Sequence, residues 1–81
     1  MTVHKANVDE LIRLTKNFWC GSEHTAQGIE ARYRYSERCF GEQWVAMDEL
    51  LDSLFRTNGL NANVSNEVIY RILKIAGVEI I

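Results

Sequence analysis

The chain has 81 residues, of which 47% are hydrophobic and 25% charged, and its formal net charge is −2. This length predicts a single domain, residues 1–81, with enough apolar side chains for one core. The acidic balance lacks the positive charge with which basic domains bind nucleic acid. There is no apolar run of the ~20 residues that span a membrane, and no secretory signal pattern. We therefore expect a cytoplasmic protein that does not associate with membranes.

The first predicted helix covers residues 7–19, NVDELIRLTKNFW. Its apolar face follows the three-to-four spacing of a helix and contains Val8, Leu11, Ile12 and Thr15. We expect Asn7 to cap the free amides, with Glu10 reaching back as in a capping box. Gly21 is the natural end of this helix.

The second strong pattern is EQWVAMDELLDSLFRTNG, residues 42–59, and it also predicts a helix. Its apolar residues are Trp44, Met47, Leu50, Leu51, Leu54 and Phe55. Arg56 lies in the predicted last turn, where a cation complements the helix dipole. Gly59 is expected to take the left-handed conformation that follows many helices.

The third pattern, SNEVIYRILKIAG at residues 65–77, predicts a helix that Ser65 caps. Its apolar residues cover more than one narrow stripe, which favours burial on two sides. They are Val68, Ile69, Ile72, Leu73, Ile75 and Ala76. Gly77 followed by Val78 predicts a Schellman ending.

The segment 24–40 fits two interpretations. Alternation of Ile29, Ala31, Tyr33 and Tyr35 with polar residues is typical of a half-buried strand. Helical spacing instead places Ala26, Ile29, Tyr33, Ser36 and Phe40 on one face. We favour the helix, because a lone strand would leave its backbone unpaired and only the N-terminal TV or the VEII tail could pair with it. The prediction is an all-α, four-helix domain in which Gly41 bends or breaks the helices on either side.

The stretch VSNEVIYRILKIAGV, residues 64–78, resembles the recognition half of helix-turn-helix domains. The resemblance implies a dimeric DNA-binding regulator that reads DNA with the helix at 65–76. The remainder departs from the pattern, since eight residues, Thr57–Val64, replace a turn of about three to four. Glu67 would repel phosphate, and only Arg71 and Lys74 are placed to contact the backbone. Nucleic acid is thus the second choice of partner.

Cys20, His24, Cys39 and His4 are the candidate metal ligands or nucleophiles. Structural zinc needs four ligands, usually in two close pairs, and only Cys20 and His24 are near each other in sequence. No residue pattern orients a base beside either thiol, and there is no glycine-rich phosphate loop. We therefore predict two reduced thiols, no metal site, no cofactor and no catalytic residue.

The segment ARYRYSER, residues 31–38, is the predicted partner-binding face. Tyr and Arg are the side chains most enriched in binding hot spots. On the helical interpretation Tyr33 points to the core, and the predicted partner-binding residues are Arg32, Arg34, Tyr35 and Arg38. The alternative is a solvated face whose arginines are neutralised by Glu30, Glu37 and Glu42.

The tail GVEII offers a second candidate contact. Its predicted dimer-contact residues are Val78, Ile80 and Ile81, because each apolar side chain gains about 1.5–3 kcal/mol when it is buried. They either close the chain's own core or pack against a second copy.

These patterns together predict a small, non-catalytic protein-binding module. It would act as an adaptor, a regulator or an inhibitor of a larger complex, as bacterial and phage accessory proteins do. An inhibitor of a nucleic-acid-binding complex is one member of that class.

Overall fold

A computed structural model of the protein describes residues 1–21 and 25–81. The described part contains helices and two very short strands: β1 (Thr2–Val3), α1 (Lys5–Cys20), α2 (Ala26–Phe40), α3 (Trp44–Thr57), α4 (Asn66–Ile75) and β2 (Glu79–Ile80). The predicted all-α character is confirmed. None of the described helices is both long enough and apolar enough to cross a bilayer.

The helices α2 and α3 form a hairpin. A single 3-10 turn, Gly41–Gln43, joins them without a loop, and Gly41 has a φ of +56°, which favours glycine. The helical interpretation of 24–40 is confirmed from Ala26 onward, and the strand alternative is wrong there; residues 22–24 lie outside the described residues. Because only the 3-10 turn lies between α2 and α3, loops in the described part separate three helical stretches.

One core forms from all the helices and both strand segments. Its buried apolar residues are Val3, Val8, Leu11, Ile12, Phe40, Met47, Leu51, Leu54, Phe55, Ile69, Leu73 and Val78. The faces predicted for residues 7–19 and 42–59 supply most of this set. The face predicted for α2 is confirmed at Ser36 and Phe40, which are buried, and wrong at Tyr33, which is 41% exposed while its neighbour Arg32 is buried.

Both ends of the described chain meet in a parallel pair, with Thr2 opposite Glu79 and Val3 opposite Ile80. The Glu79 N–H donates to the Met1 carbonyl at 2.7 Å, and the Ile81 N–H donates to the Val3 carbonyl at 2.9 Å. The TV and VEII segments thus pair with each other and not with the middle of the chain.

Both ends of α4 and the end of α1 at Gly21 agree with the predictions, whereas the start of α1 differs. The Ser65 hydroxyl accepts a hydrogen bond from the Val68 N–H. At the other end the Val78 N–H donates to the Leu73 carbonyl at 2.9 Å, and Gly77 has a φ of +96°, as in a Schellman ending. The start of α1 is earlier than predicted: its N-cap is His4, and Asn7 is inside the helix.

Candidate protein-binding surfaces

Arg32 does not belong to an exposed face. Its side chain is 2% exposed and is enclosed between the α2–α3 hairpin and α1. The predicted role of Arg32 as a partner-binding residue is therefore wrong. The helical phase explains the error: Arg32, Ser36 and Phe40 are four residues apart, so the burial of any one of them turns all three inward.

Arg32 instead joins α2 to α3 through an ion-pair network. Its Nε donates to Asp48 Oδ1 at 2.9 Å, and one of its Nη atoms donates to Asp52 Oδ1 at 3.3 Å. Trp19 of α1 also donates to Asp52, at 3.0 Å, so the network reaches a third helix. We call Trp19, Arg32, Asp48 and Asp52 the Arg32 cluster. The cluster thus connects α1, α2 and α3 through polar side-chain contacts.

Burial is the main influence on the pKa of Asp48 in this cluster. Burial raises the pKa of Asp48 above its ordinary value, and the nearby Arg32 only partly offsets that effect. The remaining Arg32 nitrogen, Nη1, and the Ser36 hydroxyl are buried without a hydrogen-bond partner in the described part. The Arg32 guanidinium also lies 5.3 Å from the Phe18 ring centroid, within cation–π range. The cluster is thus a packed structural element and not an open site.

The rest of the predicted face on α2 is only partly available. Tyr35 is half-buried and packs against the core, so the prediction that it points outward is wrong. Burial, followed by a hydrogen bond with Cys39, raises the pKa of Tyr35 to about 12. Arg38 lies over the Tyr35 ring at 5.4 Å. Arg34 is 78% exposed but forms an ion pair with Glu30. This face agrees better with the salt-bridged alternative.

A different surface, on α4, leaves apolar side chains uncovered. Ile75 is 87% exposed and Val68 is 42% exposed, while Ile69 and Leu73 on the opposite face are fully buried. Val68, Arg71, Ile72 and Ile75 follow the i, i+3, i+4, i+7 spacing of one helical face. We call these four residues the outer stripe. The wide apolar pattern of α4 in the sequence already indicated these apolar residues. The sequence predicted that α4 is buried on two sides, but its fully buried apolar residues lie on one side.

The predicted dimer-contact residues of the tail separate into three environments. Val78 is 3% exposed and belongs to the chain's own core, so its placement at a dimer contact is wrong. Ile80 is half-buried in β2, and Ile81 is 59% exposed. Only Ile80 and Ile81 are therefore available to a second molecule.

A groove of about 520 Å³ opens between α4 and β2. We call it the α4–β2 groove, and its lining residues are Lys5, Tyr70, Lys74, Gly77, Val78, Glu79 and Ile80. Six of these seven residues lie within residues 70–80, and Lys5 comes from the start of α1. The sequence did not predict the groove, because it depends on how the chain turns between α4 and β2 and on where Lys5 lies.

The beginning of α4, which would read bases in a helix-turn-helix domain, is occupied by contacts with α1. The Asn66 amide donates to Asp9 at 3.2 Å, and the Lys16 ammonium donates to the Val64 carbonyl at 2.6 Å. Asn66 is half-buried, and the next residue is the exposed Glu67. These contacts restrict the side chain that would otherwise approach a base edge.

The two thiols are separated. Cys20 is exposed near the Leu60 carbonyl, at 3.8 Å, and Cys39 is half-buried on α2. His24 lies outside the described residues. Among residues 1–21 and 25–81, no three His, Cys, Asp or Glu side chains are grouped as metal ligands would be.

Comparison with known proteins identifies no relative. No protein-family model, no curated protein and no solved structure matches the chain.

Proposed function

We propose that the chain is a non-catalytic protein-binding module, an adaptor, regulator or inhibitor of a larger complex, and that its contact surface is the outer stripe of α4. The observation that supports this most directly is Ile75, which is 87% exposed on a helix whose other face forms the core. Exposed apolar groups that are contiguous on one face are typical of interaction sites.

The outer stripe has the spacing with which amphipathic helices occupy apolar grooves of other proteins. Its apolar members gain about 1.5–3 kcal/mol each when they are fully buried. Arg71 lies within the stripe, and Lys74 lies one turn before the tail, so the exposed side of α4 near its C-terminus is basic. We infer that the partner is a protein with an apolar groove whose rim is acidic, because complementary charge fixes orientation and speeds association.

The experiment compares Ile75→Glu with the control Val45→Glu, which changes an exposed apolar residue of α3 that is 43% exposed. Both variants are expected to fold like the original chain, as measured by thermal unfolding. Each is used to capture proteins from nuclease-treated host extract, and the candidate partner is then purified and titrated. We expect Ile75→Glu to weaken binding of the purified partner more than tenfold and Val45→Glu to leave it unchanged.

Two outcomes contradict the proposal. If Ile75→Glu binds the partner as tightly as the original chain does, the outer stripe is not part of the contact surface. Retardation of duplex DNA that weakens steeply with salt and is lost on Arg71→Gln would favour the helix-turn-helix alternative.

A further inference from the structure

The two-stranded sheet has an edge that faces away from β1. In a parallel ladder, alternate residues of a strand bond to the same neighbour. Glu79 and Ile81 donate to β1, and the Ile81 carbonyl accepts from the Lys5 N–H at 2.9 Å. The N–H and carbonyl of Ile80 therefore point toward the opposite edge of β2. Unpaired backbone groups on such an edge can hydrogen-bond to another extended chain.

The α4–β2 groove lies beside this strand. The residues from Gly77 to Ile80 line it together with Tyr70 and Lys74 of α4. Its lining is more apolar than polar, as is usual for sites that accept ligands. A chain that paired with Ile80 would place alternate side chains in this groove, because successive side chains of a strand point to opposite faces.

The charged residues that line the groove indicate which kind of extended peptide would bind there. Two ammonium groups, from Lys5 and Lys74, line it together with one carboxylate, from Glu79. Lys5 Nζ lies 5.9 Å from the Tyr70 ring centroid, which places one of the positive charges over an aromatic surface. The excess of positive charge favours a peptide with acidic side chains and disfavours a basic one.

We propose that the α4–β2 groove binds an extended acidic peptide segment of another protein, which adds to the free edge of β2 as a third strand. This site is separate from the outer stripe and does not depend on it. Main-chain hydrogen bonds to Ile80 supply part of the affinity, and the two lysines supply the preference for acidic side chains.

The probe is a short capped peptide of alternating valine and glutamate, titrated into the full chain while amide NMR spectra are recorded. Two matched peptides serve as controls: one has lysine in place of every glutamate, and one has N-methyl groups along one edge of its backbone. We expect saturable binding of the acidic peptide with a shift of the Ile80 amide signal. The lysine peptide and the N-methylated peptide are expected to bind at least tenfold more weakly.

Variants of the protein test how much the charges of Lys5 and Lys74 contribute to binding. Lys5→Gln and Lys74→Gln are each expected to weaken the acidic peptide about 1.5- to 5-fold, the range for exposed ion pairs. Arg34→Gln makes the same charge change on α2, far from the groove in the fold, and is expected to have no effect. Ile75→Ser removes the exposed apolar side chain without adding a charge beside Lys74 and is expected to leave peptide affinity unchanged, so that this test and the test of the outer stripe fail independently.

Three results would overturn the proposal. They are equal affinity for the acidic and lysine peptides, equal affinity for the N-methylated peptide, and a peptide-induced shift that excludes Ile80. A concentration-dependent dimer that protects the Ile80 amide from solvent would also overturn it, because a second copy would then occupy the edge.

Discussion

Helices α2 and α4 use their side chains in opposite ways. The α2 segment carries the Tyr and Arg residues that are typical of binding faces, yet Arg32 is buried in an ion-pair network and Tyr35 is half-buried. The α4 segment carries the branched apolar residues that are typical of a core, yet Ile75 and Val68 are exposed.

The difference between them comes from how many neighbours each helix has. Helix α2 packs against both α1 and α3, so even a charged residue of α2 is enclosed when a carboxylate is there to pair with it. Helix α4 buries Ile69 and Leu73, whereas in its outer stripe Ile72 is half-buried against the core and Val68 and Ile75 are exposed. Residue type alone therefore does not show which face of either helix is exposed to solvent. The exposed face depends on how many sides of the helix pack against other elements.

The largest expected effect comes from removing the charge that α2 buries. Arg32→Met is expected to lower the free energy of unfolding by about 3–5 kcal/mol, because Asp48 is left buried without its partner. Burial already raises the pKa of Asp48, and loss of Arg32 raises it further. When the pKa of a carboxyl is higher in the folded protein than in the unfolded chain, protonation of that carboxyl favours the folded protein. The penalty is therefore greatest above the folded pKa and shrinks as the pH falls through it. Urea unfolding at neutral and acidic pH measures both effects.

The control for this variant removes both charges. Arg32→Met combined with Asp48→Leu is expected to recover most of the lost stability, since an apolar pair of similar volume often replaces a buried ion pair without cost. If the double variant is as unstable as Arg32→Met alone, Asp48 is not the origin of the penalty.

A smaller effect on stability is expected from truncating apolar residues on the two sides of α4. Ile69→Ala is expected to lower the free energy of unfolding by about 2–5 kcal/mol, because it leaves a cavity in the core. Ile75→Ala makes the same chemical change on the exposed side and is expected to alter stability by less than about 0.5 kcal/mol. Thermal or urea unfolding of the pair measures the contrast. Comparable losses in both variants would mean that Ile75 is covered in the folded chain.

The smallest effect is expected on the exposed side of α2. Arg34→Gln breaks the ion pair with Glu30, which is worth about 0.3–0.5 kcal/mol at such a helical spacing. Titration of the purified partner should show unchanged affinity, because the proposed contact lies on α4. A clear loss of affinity without a loss of stability would mean that the partner binds the predicted Tyr/Arg face of α2.

The helices and most of the core could be predicted from the sequence because their signals are local. The stripe that contains Met47 and Leu51, the Ser65 cap and the ending at Gly77 each depend on residues within a few turns of one another. The orientation of α2 could not be predicted in this way. Arg32 is buried against Asp48 and Asp52, and these partners are 16 and 20 positions away from it in the sequence.

The candidate surfaces were predicted less completely. The apolar width of α4 was visible in the sequence, but whether Ile75 or Ile69 faces the core depends on where α1 lies. The α4–β2 groove is lined mostly by residues within 70–80, but no pattern in that segment shows that Lys5, from the other end of the chain, also lines it. Sites built from distant segments depend on the fold as a whole and remain hidden until its topology is known.

The pairing of β1 with β2 also bears on the order in which the molecule assembles. Residues 2 and 79 are neighbours in space although nearly all of the chain separates them. Closing so long a loop costs more entropy than forming a hairpin of adjacent helices, and contacts of this kind slow folding. We expect α2 and α3 to associate early and the two strands to join last. The same strands should then be among the first segments to detach in partial unfolding, well before the helical hairpin separates.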